Sequence, residues 1–195
     1  MKLRILGINC AYTKVGPVAQ MLAESLEACG QWAKEVDGME TTVETVHLAD
    51  VMRGFTTPVQ GLILEHMKEA AKKLLAADVV LFATPVFWGM PSPLFMQFLV
   101  DITPYEFDGD FPLRGKVAGV IAHCDEDGCG QVVNAVLGPL RHFGFATPPH
   151  GDFWRNRTGA RFSEGKWQEN DHTHVLAPNL VEMALAFKKS PPEWR

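Results

Sequence analysis

Apolar residues in this chain gather into short runs that alternate with stretches of helical spacing. The runs at residues 3–8 and 79–83 are typical of strands, and the second is continuous, which indicates burial on both faces. Between them, residues 17–29 place apolar side chains at helical spacing, with Pro17 suited to the first helical position and Gly30 to the stop. The pattern therefore predicts strand, helix and strand in alternation.

The remainder of the chain continues this alternation. Further strands are predicted at residues 42–48, 116–122 and 145–147, and further helices at 62–77, 93–102, 131–143 and 176–189. Ser92 is a plausible cap for the helix at 93–102, and the polar residues 150–171 are predicted to form an irregular excursion. Without repeats or linkers, residues 1–195 are expected to form a single domain of α/β class, an open parallel sheet covered on both faces.

Composition narrows the function classes. Of the 195 residues, 47% are apolar and 21% charged, and the net charge of −5 argues against general affinity for nucleic acid or an anionic membrane. No apolar run approaches the roughly 20 residues that a membrane span needs, and the first ten residues are typical of a strand, not of a signal peptide. We expect a cytoplasmic protein that binds neither nucleic acid nor membranes.

The four cysteines, at positions 10, 29, 124 and 129, form no C-x-x-C pair. Without an export signal they are expected to be free thiols in a reducing compartment. Metal sites need clustered ligands, and His123, Cys124 and Cys129 are the nearest approach to a cluster. No metal is expected.

Ligands of open parallel sheets bind beyond the carboxyl ends of the strands, where the strand order reverses. The candidate ligand-binding segments are therefore residues 9–17 (the first loop), 84–91 (the middle loop) and 123–130 (the third loop).

The first loop leads into a helix and offers polar groups to an anion. Its candidate ligands are Asn9, Tyr12, Thr13 and Lys14. A helix N-terminus with free N–H groups, a hydroxyl and a lysine can bind phosphate. The alternative is an ordinary loop whose Thr13 and Lys14 face water.

The middle loop is stiff, aromatic and nearly uncharged. Residues 83–93 hold three prolines, whereas solvated turns are usually rich in Asn, Asp, Ser and Gly. The candidate binding residues are Thr84, Pro85, Val86, Phe87, Trp88 and Gly89. Apolar walls with a few rigid amides suit a planar heteroaromatic ring. The alternative is an aromatic cluster that packs only on neighbouring helices.

The third loop can bring its backbone close to a ligand, because glycine permits close approach. Its candidate residues are His123, Gly128, Cys129 and Gly130. The acidic residues Asp125, Glu126 and Asp127 are more typical of a solvated turn than of a metal site. Gly128-x-Gly130 lacks the third glycine of a dinucleotide fingerprint, and His123 is either structural or catalytic. Together the loops predict phosphate at the first, and a ring at the middle and third.

The segment ADVVLFATPVFWGMPSPLFMQFLVD, residues 77–101, resembles the NADPH-dependent FMN reductase family of the flavodoxin-like superfamily, and the similarity extends more loosely to about residue 150. The resemblance implies a flavodoxin-like three-layer sandwich with a five-stranded parallel sheet of order 2-1-3-4-5. It also implies bound FMN, a homodimer or homotetramer, and reduction of a flavin or quinone by NADPH or NADH.

By this resemblance, Thr13 and Lys14 would meet the phosphate, residues 85–89 would line the flavin, and residues 128–130 would approach its pyrimidine side. The chain departs from the family pattern in its first loop, where Gly7-Ile8-Asn9-Cys10 replaces Gly-Ser-Pro-Arg. Gln97 stands where many members have Lys, and Ile102 where they have Arg. Residues 48–62 lack the cysteines of the iron–sulfur branch.

We therefore expect an FMN-dependent oxidoreductase that uses NAD(P)H to reduce a flavin, quinone or similar small acceptor, with His123 as a candidate proton donor. One alternative is a non-catalytic flavodoxin-like electron carrier that serves a protein partner; another is a flavin-free member that uses the fold for protein contacts. Exposed Phe87, Trp88, Met90 and Phe95 would favour a homo-oligomer, because monomers rarely expose large apolar patches.

Overall fold

The computed structural model describes residues 2–37, 39–52, 63–107, 109–157 and 172–193. The strands are β1 (Lys2–Asn9), β2 (Glu40–His47), β3 (Val79–Phe87), β4 (Met90–Pro91), β5 (Val117–Cys124) and β6 (Asp152–Asn156). The helices are α1 (Pro17–Asp37), α2 (Leu48–Val51), α3 (Lys68–Ala76), α4 (Pro93–Ile102), α5 (Pro104–Phe107), α6 (Cys129–His142) and α7 (Thr173–Lys189). A 3₁₀ turn, Glu65–Met67, leads into α3.

Five strands form a parallel sheet in the order β2-β1-β3-β5-β6, and the two-residue β4 pairs antiparallel with the end of β3. The predicted order of the parallel strands is confirmed, whereas β4 is an addition. Helices α1 and α7 cover one face of the sheet, and α3, α4 and α6 cover the other. The six strands belong to one sheet, and these helices pack on its two faces. The single domain over residues 1–195 stays a prediction.

The central strand β3 explains why both faces are covered. Val80 and Phe82 point into one apolar cluster, and Val79, Leu81 and Ala83 point into the other. All five are fully buried. Alternating side chains of a parallel strand need apolar partners on both sides. The continuous apolar run in the sequence is therefore a consequence of position.

Several predicted ends of elements differ from the structure, among them the start of α3 at Lys68, the start of α7 at Thr173, the end of α1 and the end of β2. Helix α1 passes through Gly30 to end at Asp37, because Gly30 lies over β2, where an added Cβ would come within 3.5 Å of Val43 Cγ2. A glycine inside a helix costs only about 1 kcal/mol relative to alanine, so packing can override it. Strand β2 ends one residue before Leu48, which begins α2.

The fifth strand also differs from its prediction. Residues 145–147 contribute a single bridge, Ala146 with Val117, and the fifth parallel strand is β6. Pro148 and Pro149 follow the bridge, and proline cannot donate to a sheet ladder. Strand β6 lies within residues 150–171, which the sequence predicts to be irregular. An edge strand needs few apolar residues, so this segment lacks the apolar run from which a strand would be predicted. Residues 158–171 of the predicted excursion lie outside the described residues.

Strands β3 and β5 are longer than predicted, which moves several site residues out of loops. Thr84 pairs with Ala122 and Pro85 with His123, so the two strands support each other beyond their apolar runs. Phe87 is the last residue of β3, and Cys124 the last of β5. Helix α6 then begins at Cys129, two residues before its predicted start.

Candidate functional site

The three loops meet at the carboxyl edge of the sheet. The first follows β1, the middle follows the buried part of β3, and the third spans the end of β5 and the start of α6. The Cys10 amide donates to the Ala83 carbonyl at 2.8 Å, which ties the first loop to β3. The rings of Tyr12 and Phe87, with centroids 6.1 Å apart, connect the first loop to the middle loop.

The first loop is organised around the buried side chain of Asn9. Asn9 Oδ1 accepts from the Ala11 amide at 2.9 Å, and Asn9 Nδ2 donates to the Thr13 carbonyl at 3.3 Å. The same Nδ2 lies 3.1 Å from His47 Nδ1, which accepts when that nitrogen carries no proton. A buried amide with these partners fixes the backbone of the loop.

The polar side chains of the first loop are exposed and engaged with protein groups. The Thr13 hydroxyl donates to the Val15 carbonyl at 2.6 Å, and Lys14 Nζ lies 2.7 Å from Asp50 Oδ2. Gly16, with a φ of 113°, supplies the carbonyl that accepts from the Gln20 amide at 3.0 Å, and so starts α1. The loop therefore reaches the helix N-terminus as predicted.

The middle loop is a tight hairpin. Phe87 pairs with Met90 across a two-residue turn whose central residues, Trp88 and Gly89, have φ values of 53° and 73°. Positive φ at both positions is typical of the turns that join right-twisted strands. Gly89 adopts it freely, whereas Trp88 pays a conformational penalty and is fully exposed. An exposed tryptophan in this conformation favours a binding role for the turn.

Thr84 is buried at the base of the hairpin. Its hydroxyl accepts from the Ser92 amide at 3.0 Å and donates to the Pro85 carbonyl at 2.9 Å. The Ser92 hydroxyl in turn accepts from the Leu94 amide at 3.2 Å, so the cap of α4 is as predicted. In this structure the Thr84 hydroxyl anchors the hairpin to α4.

The third loop contradicts the prediction of four free thiols. Cys124 and Cys129 form a disulfide with Cα atoms 5.9 Å apart, while Cys10 and Cys29 are free and buried. Sequence spacing cannot reveal such a pair, because the Cα separation depends on the strand–loop–helix geometry. The Asn156 side chain donates to the Glu126 carbonyl, and the Arg157 amide donates to the Cys124 carbonyl at 3.0 Å.

Gly128 brings the third loop against the hairpin. Its φ is 85°, in the left-handed region, and it forms the N-cap of α6. A Cβ added at Gly128 would lie 3.3 Å from Gly89 Cα and 3.6 Å from Val86 Cγ1. The two turns therefore approach each other at two glycines, where a side chain would fill the space.

A cavity of about 420 Å³ lies between the hairpin and the third loop. This volume falls within the range of small-molecule sites. Its lining residues are Val86, Trp88, Gly89, Cys124, Asp125, Glu126, Asp127, Gly128 and Gln131. The structure thus brings together the middle and third loops, as predicted, around one space.

Some predicted residues lie beside this cavity instead of lining it. Gly130 is in the first turn of α6, where an added Cβ would meet the Trp154 ring at 3.7 Å. His123 and Cys124 point to opposite faces of β5, since successive side chains of a strand alternate. The sequence reasoning missed His47 and Gln131; the position of His47, at the end of a strand next to β1, was the available signal.

Acidic side chains line one side of the cavity. Asp125, Glu126 and Asp127 are exposed, and Arg157 lies 3.6 Å from Asp125. Partial burial lowers the pKa of His123 below its usual value, against the opposing pull of Asp125. His123 is therefore neutral near pH 7 and poorly suited to act as an imidazolium acid.

Two further features of the described residues concern metal binding and membrane insertion. No group of three or more His, Cys, Asp or Glu side chains in that part of the chain is arranged to hold a metal ion. None of the helices there combines the length and apolar character needed to cross a membrane.

Residues 3–159 match the family described as NADPH-dependent FMN reductase. A curated relative from Streptomyces davaonensis, named 8-demethyl-8-aminoriboflavin-5'-phosphate synthase, is 33% identical over 131 residues, which cover 62% of this chain and 51% of that protein. The chain thus aligns with about half the length of that relative.

Solved structures are similar over nearly the whole chain. RosB with a bound intermediate, 8-demethyl-8-formylriboflavin-5'-phosphate, gives a TM-score of 0.76 at 20% identity, covering 97% of this chain and 82% of that one. The apo form of an NADH:FMN oxidoreductase gives 0.67 at 19% identity, covering 97% and 92%. An archaeal flavodoxin gives 0.55 at 10% identity, covering 94% and 99%.

At such identities the structural likeness establishes the fold, which is flavodoxin-like as predicted. The family match covers most of the chain. The resemblance inferred from residues 77–101 is therefore confirmed: the chain belongs to the NADPH-dependent FMN reductase family.

Proposed function

We propose that the chain binds FMN across the three loops and uses NADPH or NADH to reduce a flavin, a quinone or a similar small acceptor. The single observation that carries this proposal is the cavity between the hairpin and the third loop, at the sheet edge where the first loop also leads into α1. FMN, when bound, supplies the hydride-transfer chemistry, and the protein supplies position and surroundings.

The ring half of the proposed site is formed by backbone and apolar groups. Val86, Trp88 and Gly89 offer flat apolar contact, and Gly128 allows the third loop to approach closely. These features fit a planar ring with polar edges, which needs apolar walls and a few amides. Phe87 and Trp88 remain exposed and suit the stacking of a nicotinamide.

The phosphate half is the first loop. Its amides and the start of α1 suit a phosphate, because a helix N-terminus attracts anions. Thr13 and Lys14 lie at the same end, although Lys14 pairs with Asp50 in the structure. The carboxylates of the third loop disfavour a phosphate there, so charge supports the same orientation as the family resemblance.

The related proteins support the flavin more directly than the electron donor. The names of the Streptomyces davaonensis relative and of the RosB complex both contain a riboflavin 5'-phosphate derivative. A phosphorylated flavin is thus the ligand they share with the proposal. The nicotinamide donor rests on the family description.

We also propose a homodimer or homotetramer. Tyr12, Phe87, Trp88 and Met90 are at least 41% exposed, and they belong to the first loop and the hairpin. Phe95, which the sequence argument counted among the exposed residues, is fully buried in the core. The remaining apolar surface still favours a partner subunit, because large apolar patches are rare on monomers.

The proposal is tested by releasing the cofactor from purified protein with heat and comparing it with FMN and FAD by chromatography. FMN in the supernatant, together with steady-state NAD(P)H consumption when a quinone is added, is the expected result. FAD, or no flavin, contradicts the proposed cofactor. Bound FMN without NAD(P)H consumption favours the electron-carrier alternative, for which the exposed acidic residues of the third loop would form the docking surface.

A further inference from the structure

We propose that Cys124 and Cys129 form a second redox centre of this site, a dithiol–disulfide pair that exchanges two electrons with the flavin bound in the cavity. This inference rests on the proposed FMN site. Its observations are the disulfide itself, the place of Cys124 in the cavity wall and the place of Cys129 at the start of a helix.

Access to the disulfide leads through the cavity. Both cysteines are only 3% exposed, so a large partner cannot reach either sulfur from outside. Cys124 lines the cavity, whereas Cys129 lies behind it as the first residue of α6. A molecule held in the cavity is therefore well placed to exchange electrons with the disulfide, and it would meet Cys124 first.

The two sulfurs differ in the way that disulfide reduction requires. Reduction proceeds by attack on one sulfur while the other leaves as a thiolate, and a more stable thiolate leaves faster. Attack at Cys124 makes Cys129 the leaving group. Cys129 sits in the first turn of α6, where the unpaired N–H groups and the helix dipole stabilise negative charge.

The net step balances without any further reactant. The Cys124–Cys129 bond breaks, and the two sulfurs take up two electrons and two protons to become two thiols. FMN bound in the cavity and reduced by the nicotinamide would supply these two electrons and two protons, and would itself be oxidised. In the reverse direction the dithiol reduces the flavin and the disulfide forms again.

The surroundings of the disulfide contain charges of both signs. Asp125, Glu126 and Asp127 oppose a thiolate, and Arg157, 3.6 Å from Asp125, offsets part of that charge. The free cysteines provide a contrast: burial raises the pKa of the Cys29 thiol to about 12, so it stays protonated and unreactive. Cys29 packs in the core between α1 and the sheet, away from the third loop.

The experiment counts thiols and electrons in the flavin-bound protein under anaerobic conditions. Denaturation and thiol labelling before reduction should find two of the four cysteines free, and labelling after incubation with NADPH should find all four. A dithionite titration should need about twice as many electrons per flavin in the parent as in the Cys124→Ser/Cys129→Ser variant. Cys29→Ala, the matched control, should gain two thiols and take up electrons as the parent does.

The outcomes separate this inference from the proposed function. Four free thiols before reduction, or two remaining after the flavin is fully reduced by NADPH, overturn the redox centre and leave FMN binding intact. A protein that binds no flavin overturns both. Because the thiol count is made on the parent protein, a cysteine variant that fails to fold does not affect the conclusion.

Discussion

The two halves of the candidate site are built by different means. In the first loop, one buried side chain, Asn9, holds the backbone, and the charged groups are exposed. Around the cavity the backbone itself is constrained, by positive φ at Trp88, Gly89 and Gly128 and by the disulfide. Affinity for the phosphate should thus depend on hydrogen bonds, and affinity for the ring on shape.

This comparison can be tested with two ligands. FMN carries the phosphate and riboflavin lacks it, whereas both carry the ring. A substitution in the ring half should weaken both ligands by the same factor. A substitution in the phosphate half should weaken FMN and leave riboflavin unchanged.

The largest effect is expected for Gly128→Val. A Cβ at this position would press on Gly89 at 3.3 Å, and a β-branched residue resists the φ of 85°. We expect FMN and riboflavin affinity each to fall by at least roughly thirtyfold, about 2 kcal/mol. Fluorescence titration of the flavin-free protein measures both constants.

Gly130→Ala is the matched control for this substitution. A Cβ there makes ordinary contact with Trp154 at 3.7 Å, and alanine favours the helix. Its flavin affinity should equal that of the parent. Equal losses in the two glycine variants would show that the third loop does not approach the ring through Gly128.

Asn9→Ala should have the next largest effect. It leaves the Ala11 amide without its side-chain acceptor and removes the donor to the Thr13 carbonyl, and the site is buried. We expect a loss of about 1–3 kcal/mol in the free energy of unfolding and about tenfold in FMN affinity. Urea unfolding and the same titrations measure these values. A tenfold loss for riboflavin as well would place Asn9 in the support of the whole site.

The sequence predicted a parallel sheet and the three loops because both follow from apolar runs and their ends, whereas the strand order was implied by the resemblance of residues 77–101 to the family. It did not predict where β3 and β5 stop, since the extra residues are held by pairing between strands distant in sequence. Strand β6 was not predicted because its only fully buried apolar residue is Phe153, and an edge strand needs no apolar run. The Cys124–Cys129 disulfide was not predicted because cellular compartment and sequence spacing do not give the distance between two cysteines in the fold.

Trp88→Asn tests whether the strained turn serves the ring half. Asparagine tolerates positive φ better than tryptophan, and Trp88 is fully exposed, so little packing is lost. We expect the free energy of unfolding to rise by up to about 1 kcal/mol. If the free energy of unfolding rises and the KM for NAD(P)H also rises a few-fold, the strained conformation of Trp88 serves binding. A variant with unchanged kinetics would mean that the exposed ring contributes nothing to the site.

The smallest effect is expected for Lys14→Ala. Lys14 and Asp50 are both more than half exposed, and an ion pair of this kind contributes less than about 1 kcal/mol. A phosphate held by backbone N–H groups keeps those donors when the lysine is removed. We therefore expect FMN affinity to fall by no more than about threefold at low salt, with the difference shrinking at high salt, and riboflavin affinity to stay unchanged.

Asp50→Asn completes this test, because it frees Lys14 from its partner without removing it. If Lys14 attracts the phosphate, this variant should bind FMN slightly more tightly than the parent, again only at low salt. A loss of FMN affinity above tenfold for Lys14→Ala would contradict this difference between the two halves of the site. It would mean that an exposed charge, and not the backbone arranged by Asn9, carries the affinity of the first loop for the phosphate.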